Sequence, residues 1–197
     1  MRIISGKFKG KKLLTPNDNL IRPTSDRAKE TIFNILESFF VKKKIRFLDL
    51  TVLDCFCGSG AIGLEFLSRG SKEIIFVDNS LESINLAKQN YNALNVKLNV
   101  KFIKKSYEKL RLPYSKINFF FLDPPYEKLC IKNIFESFYK NRIFDKKSYG
   151  IIELSHKEKI DEIKNFSILK KKKFHTLSLS LLRAFNLFSS KKFLYII

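Results

Sequence analysis

Leu53-Asp54-Cys55-Phe56-Cys57-Gly58-Ser59-Gly60-Ala61-Ile62-Gly63 decides how this chain is read. A short apolar run, Thr51–Phe56, leads in, and a helical pattern, Ala61–Arg69, leads out to a stop at Gly70. Gly58, Gly60 and Gly63 form a G-x-G-x-x-G turn, whose glycines permit a tight bend and a close approach of ligand to backbone. Asp78 ends the next apolar run, Glu73–Val77, and a carboxylate there can accept hydrogen bonds from both hydroxyls of a ribose. These features fit any adenosine-containing cofactor, a nicotinamide included. Asp54 discriminates further. At the end of the first strand it stands where a cation would lie, which suits the ammonium and sulfonium of S-adenosylmethionine better than a pyrophosphate. The structural alternative is a carboxylate that caps local backbone amides.

Outward from this turn, short apolar runs alternate with helical patterns. A helix from Leu81 to about Leu94 precedes strands near Val100–Ile103 and at Ile117–Leu122. A helix carrying Ile131, Ile134, Phe135 and Phe138 leads to a strand at Gly150–Leu154. Strands buried on both faces with helices between them predict an α/β fold with a mostly parallel, doubly wound sheet. After Phe166 the period falls to two, with Leu177, Leu179 and Leu181 set against Thr176, Ser178 and Ser180. This predicts an antiparallel edge hairpin with the strand near Ile168, and with Lys170–Lys173 as its turn. Before the turn, Thr24 or Ser25 can cap a helix bearing Ala28, Ile32, Ile35, Leu36 and Phe39, closed by Lys42-Lys43-Lys44. Arg2–Leu14 reads as two short basic strands joined through Gly6 and Gly10. The predicted division is a hairpin extension at 1–16 and a main domain at 17–197.

The chain has 197 residues, 45% of them hydrophobic, and 38 Lys and Arg against 19 Asp and Glu, a net charge of +19. That suits one folded domain and speaks against disorder or a coiled coil. No stretch approaches the ~20 apolar residues of a membrane span. The opening residues lack the apolar core of a signal peptide. Three cysteines make no disulfide framework, and a reducing cytoplasm is the expected compartment. Cys55 and Cys57, one residue apart with no second cluster, read as small turn residues, so no metal is expected. The positive charge favours a polyanion held without sequence preference. A lysine-rich compositional bias of the source accounts for it equally well.

Asp123-Pro124-Pro125-Tyr126 follows the strand Ile117–Leu122, at the carboxyl rim shared with Asp54 and Asp78. Two prolines remove two amide donors and stiffen the segment. The acceptors that remain, the Asp123 carboxylate and the Pro124 carbonyl, suit an exocyclic NH2 group, and Tyr126 offers a ring for stacking.

Asp-Pro-Pro-Tyr after Asp-x-x-x-Gly-x-Gly resembles the S-adenosylmethionine-dependent methyltransferases that act on exocyclic or amide nitrogen. The chain more narrowly resembles the bacterial 16S rRNA guanine-N2 methyltransferase D family, RsmD. That match rests on Met1-Arg2-Ile3-Ile4-Ser5-Gly6-Lys7-Phe8-Lys9-Gly10, Arg22-Pro23-Thr24-Ser25-Asp26-Arg27-Ala28-Lys29-Glu30 and Leu64–Gly70, and it covers about residues 1–183. The resemblance implies a Rossmann-like, seven-stranded methyltransferase sheet with an N-terminal hairpin that helps hold rRNA. It implies S-adenosylmethionine as cofactor, and one guanine of small-subunit rRNA, in an assembling 30S particle, as target. It places Asp54, Gly58 and Gly60 at the methionine end of the cofactor, and Asp78 with Asn79 at the ribose. Thr24 joins the cofactor side, Arg22 and Pro125 the target side, and Asp123, Pro124 and Tyr126 the reacting amino group. Ser106 stands where the family usually has an acid for the adenine amino group, and a hydroxyl accepts that bond more weakly. Phe174-His175-Thr176 departs from the family's aromatic-Gly-Asp-Thr turn, and the tail after Ala184 matches nothing.

Lys7, Lys9, Lys11 and Lys12, with Phe8 among them, are candidate phosphate contacts, or else a solvated basic face. A monomer is expected. Three rival readings stand beside the family's. An adenine-N6 methyltransferase would use the same acceptor corner. A nicotinamide dehydrogenase would leave Asp123–Tyr126 idle. A non-enzymatic RNA-assembly factor would need neither cofactor nor Asp123.

Overall fold

Ser25 begins the first long helix, α1 (Asp26–Lys43), and its hydroxyl accepts from the Ala28 amide at 3.1 Å. Asp26 lies in the first turn and Lys42 and Lys43 in the last, both matched to the helix dipole, and Lys44 ends the helix in a left-handed conformation. This computed structural model describes residues 1–15, 25–112, 117–125, 129–155, 157–158, 163–174 and 177–184. The remaining elements are β1 (Thr51–Cys55), α2 (Ala61–Ser68), β2 (Glu73–Asp78), α3 (Leu81–Asn92) and β3 (Val100–Lys104). They continue as β4 (Ile117–Leu122), α4 (Ile131–Lys140), β5 (Phe144–Ser155), β6 (Phe166–Phe174) and β7 (Leu177–Ala184).

The seven strands form one sheet in the order β3-β2-β1-β4-β5-β7-β6. β1 through β5 are parallel, and β7 inserts antiparallel between β5 and β6. The expected seven-stranded sheet with its antiparallel edge hairpin is therefore present. The order reverses between β1 and β4, so their carboxyl ends flank the crevice where open α/β sheets bind ligands.

Each face of the sheet has its own core. Val52, Phe119, Phe121, Ile151, Leu179 and Leu181 pack with α1, α2 and α3. Leu53, Cys55, Phe120, Leu122, Ile152 and Leu182 pack with α4. Phenylalanine supplies much of the packing, as in the edge-on pair Phe40–Phe119 and the stacked pair Phe120–Phe144. Every residue of α2 is buried, including Glu65. The reason is that α2 is covered by the sheet, by α1 and by the opening residues of the chain.

Three local expectations are corrected. Lys170–Lys173 are not a turn. They lie within β6, paired with Leu181, Ser180, Leu179 and Ser178 of β7. Among the described residues β6 is an outer strand, and lysines on a sheet edge discourage pairing with a foreign strand. β5 begins at Phe144, well before Gly150, because a register shift on β4 steps from Ile117↔Phe144 to Phe119↔Tyr149. The polar residues taken into that shift hide the strand from a periodicity reading. The opening segment closes through a single antiparallel bridge, Arg2↔Lys12, rather than through two extended strands.

Candidate functional site

The site grows from the end of β1. Leu53 and Cys55 face the α4 layer, so alternation turns Asp54 toward α2. There its Oδ2 accepts from the Gly63 amide at 2.8 Å. The backbone-capping alternative for Asp54 is thus realised, and it leaves one carboxylate oxygen for other use. Asp54 is 2% exposed. Burial raises its carboxyl to about 7, against the Gly63 hydrogen bond, and the charge of Asp78 adds to the rise. A buried carboxyl so poised is the group that a nearby cation would ionise.

Close packing explains the third glycine. A Cβ on Gly63 would lie 2.3 Å from the Phe76 ring and 2.9 Å from Asp54 Oδ2. Gly60 caps α2 in a left-handed conformation at φ 76°. Phe56 also takes a positive φ, 64°, which is strained for a residue with a large side chain and marks the turn as over-determined by its surroundings. The Phe56 and Cys57 amides both donate to the Val77 carbonyl at 2.9 and 3.1 Å, tying the turn to β2. Burial pushes the Cys55 and Cys57 thiols upward, so neither is a ready thiolate.

Asp78 ends β2 in register beside this turn. Its Oδ2 accepts from the Gly58 amide at 3.0 Å and its Oδ1 from the Ser80 amide at 2.9 Å. Each carboxylate oxygen accepts more than one hydrogen bond, so capacity remains for ribose hydroxyls. Asn79 beside it is exposed. Ser106 leads the short turn Tyr107–Lys109, with its hydroxyl close to the Glu108 carboxylate. The Ser106 hydroxyl favours the ionised form and holds the exposed Glu108 carboxyl below its usual value.

On the other side of β1, Cys55 pairs with Leu122 of β4. Cys55 pairs also with Val77 of β2. Asp78, Phe56 and Asp123 therefore follow at one level on three adjacent strands. Asp78 and Asp123 stand about 10 Å apart, two strand spacings. Asp123 is half-buried, Pro124 buried and Pro125 exposed. The expected residues Arg22, Thr24 and Tyr126, and His175 with them, lie outside the described residues. Lys7, Lys9, Lys11 and Lys12 are exposed, on a hairpin whose tip meets Ser68 at the far end of α2 from Gly60.

Periodicity and motif spacing pass over one residue of the site. Asn90 of α3 is buried, with Nδ2 donating to the Ser59 carbonyl at 2.9 Å and to the Leu14 carbonyl at 3.1 Å. Its Oδ1 accepts from the Leu14 amide at 2.7 Å. Asn90 thus joins the glycine turn to the chain leading from the hairpin. A polar residue on the apolar face of α3 is the only trace of this in the sequence. A cavity of about 450 Å³ between α4 and Ile163–Asn165 lies by the opposite end of the sheet, and plays no part in this rim.

Known proteins resemble this chain in sequence and in fold. Ribosomal RNA small subunit methyltransferase D of Buchnera aphidicola subsp. Acyrthosiphon pisum is 31% identical over 175 residues, covering 86% of each chain. The protein of the same name from Haemophilus influenzae is 29% identical over 176 residues, covering 87% of this chain and 88% of its own. A solved structure from Escherichia coli, titled "Putative methyltransferase yhhF", superposes with a TM-score of 0.78 at 25% identity, over 94% of this chain and 98% of its own. The family model described as Conserved hypothetical protein 95 matches residues 1–183, from the basic hairpin through all but the last residue of β7, and the chain belongs to that family.

Proposed function

We propose that this protein is an rRNA methyltransferase that places one methyl group, taken from S-adenosylmethionine, on the exocyclic N2 of a guanine in small-subunit rRNA. One observation carries the reading: Asp123-Pro124 continues β4 at the level of the Gly58 turn and Asp78, so an acceptor corner and a cofactor cradle share one rim. The residue set fits the cofactor. Gly60 and Gly63 let the turn and α2 pack closely against Phe76 and Ala87, and the buried Asp54 carboxyl calls for a positive neighbour. The similarity to curated small-subunit rRNA methyltransferases supports the substrate class.

Asp54, Gly58 and Gly60 hold the methionine end of the cofactor, and Asp78 the ribose. Bound there, S-adenosylmethionine supplies an electrophilic methyl group on a sulfonium that departs as a neutral thioether. The guanine N2 lone pair is delocalised into its ring, so this nitrogen is a poor nucleophile. The Asp123 carboxylate and the Pro124 carbonyl accept its two N–H bonds, which favours a pyramidal nitrogen with its lone pair free. Asp123 also offers an acceptor for the proton this nitrogen sheds. These acceptors are held before reaction by the proline backbone and by β4, so little reorganisation is needed as charge develops. The base must be unstacked to reach the corner, which costs least in a loop or a single strand.

Mass spectrometry of small-subunit rRNA nucleosides, before and after treatment with the protein and S-adenosylmethionine, tests this. N2-methylguanosine at one site is expected. N6-methyladenosine would establish the adenine reading instead, and no new methyl group at all would remove the enzymatic one.

A further inference from the structure

The hairpin is held by side chains that imitate a strand. Within it, the Ile3 amide donates to Lys11, the Gly10 amide to Ile3 and the Leu13 amide to Met1. The groups on the opposite margin point to α1 and α2. The Arg2 amide donates to Asp26 Oδ1 at 3.2 Å, the Arg2 carbonyl accepts from Lys29 Nζ, and the Ile4 amide donates to Glu65 Oε1 at 2.6 Å. Acceptor, donor, acceptor is the series a neighbouring β-strand would present. Ser68 extends it: its hydroxyl donates to the Ser5 carbonyl at 2.6 Å and accepts from the Phe8 amide at 3.0 Å, and its carbonyl accepts from the Lys7 amide at 2.7 Å.

The rungs are costly groups to bury. The side chains of Lys29 and Glu65 are 0% exposed and 3.2 Å apart. Lys29 also meets Asp26 at 3.3 Å, and Glu65 pairs with Arg69, whose guanidinium lies 4.0 Å from the Phe33 ring centroid. Apolar side chains of the same volume often give equal or greater stability than a buried ion pair. What they cannot give is direction. Charged rungs fix which backbone groups of residues 2–4 sit over which turn of the helices. Gly6 fixes the height, since a Cβ there would lie 2.1 Å from the Ser68 carbonyl oxygen. From this frame Lys7, Lys9, Lys11 and Lys12 project into solvent.

We infer that the ladder Asp26–Lys29–Glu65 is a positioning device that presets the hairpin lysines as an array for the phosphates of the RNA substrate. This rests on the reading of the protein as an rRNA methyltransferase. A preset array spares the ordering entropy that a loose arm would lose on binding. It also joins the three segments on which the family resemblance rests, since residues 2–8, Asp26 with Lys29, and Glu65 with Ser68 and Arg69 all meet here.

The test compares wild type with a variant carrying Lys7, Lys9, Lys11 and Lys12 all changed to Gln, and with Lys29→Met/Glu65→Leu, which removes two rungs at similar volume. Asp26→Ala, at a partly exposed rung, leaves the fold least at risk. Binding to purified 16S rRNA over a salt series, calorimetry with S-adenosylmethionine, and hydrogen exchange at the Ile4 amide are measured on each. The ladder variants are expected to keep wild-type cofactor affinity and to lose Ile4 protection. Their rRNA affinity should fall toward that of the four-lysine variant, with the salt slope reduced by about 0.7–0.9 for each phosphate that is no longer neutralised. Faster exchange at Ile4 with wild-type rRNA affinity and slope would overturn the inference. So would a four-lysine variant that binds as wild type. Either result leaves the methylation reading standing, because that reading fails separately, through the absence of N2-methylguanosine.

Discussion

Gly63 donates its amide to Asp54 across the first turn of α2, at 2.8 Å, and this is the buried carboxyl held near pH 7. In the unfolded chain the same group releases its proton near 3.8. Between those values the folded state carries the extra proton, so this group's contribution to stability falls as pH rises from about 4 to about 7. A cationic ligand favours the ionised form. Affinity for S-adenosylmethionine should therefore increase across neutrality, with protons released on binding below about pH 7. Calorimetry in buffers of different ionisation enthalpy reads this directly. Asp54→Asn should flatten the profile, and a wild-type affinity that does not change with pH would remove Asp54 from the cofactor site.

Asp123→Ala should lower turnover by about 10²–10³, the usual cost of losing one preorganised partner of a developing charge. Cofactor affinity should stay within about twofold, because β1 and β2 supply that cradle. Single-turnover methylation of rRNA and a cofactor titration on the same preparation separate the two. Equal losses in both would mean that Asp123 shapes the cradle.

Gly63→Ala should cost about 1–3 kcal/mol, the range for forcing a methyl group into a packed interior. Its Cβ has Phe76 on one side and Asp54 on the other. Thermal unfolding and cofactor binding should both suffer. By contrast Gly70→Ala meets nothing within 4 Å, and it should be felt only through its positive φ.

Ser106 offers a sharper comparison. Its hydroxyl stands close to Glu108, so an acid at position 106 would face a like charge. Ser106→Asp combined with Glu108→Gln should tighten cofactor binding, whereas Ser106→Asp alone should gain less. If neither changes the affinity by calorimetry, position 106 does not touch the adenine.

The parallel core of the fold was legible because β1, β2 and β4 are apolar runs with capped helices between them. The glycine turn was legible because backbone needs of that kind restrict residue identity. β5 was partly hidden, since Asp145-Lys146-Lys147-Ser148 reads as loop and becomes strand only beside Ile117. The strand near Ile168 was legible but the second half of β6 was hidden for a related reason: four lysines look like a turn, and a strand at a sheet edge tolerates them. Lys29 escaped notice because lysine on a helix ordinarily faces solvent. Glu65, in the apolar helix Ala61–Ser68, was the available hint that a buried partner existed. Asn90 shows the same limit, because its bonds reach to Leu14 and Ser59, far away in the chain.

The ladder also sets an order of events in biosynthesis. Ile4 and Phe8 find their partners 61 and 60 residues further along. At roughly 5–20 residues per second, the translating ribosome keeps the opening segment waiting for about 3–12 s before Glu65 and Ser68 are made. Residues 2–8 thus cannot settle until α2 has been made, and through that interval the hairpin lysines lack the frame that presets them.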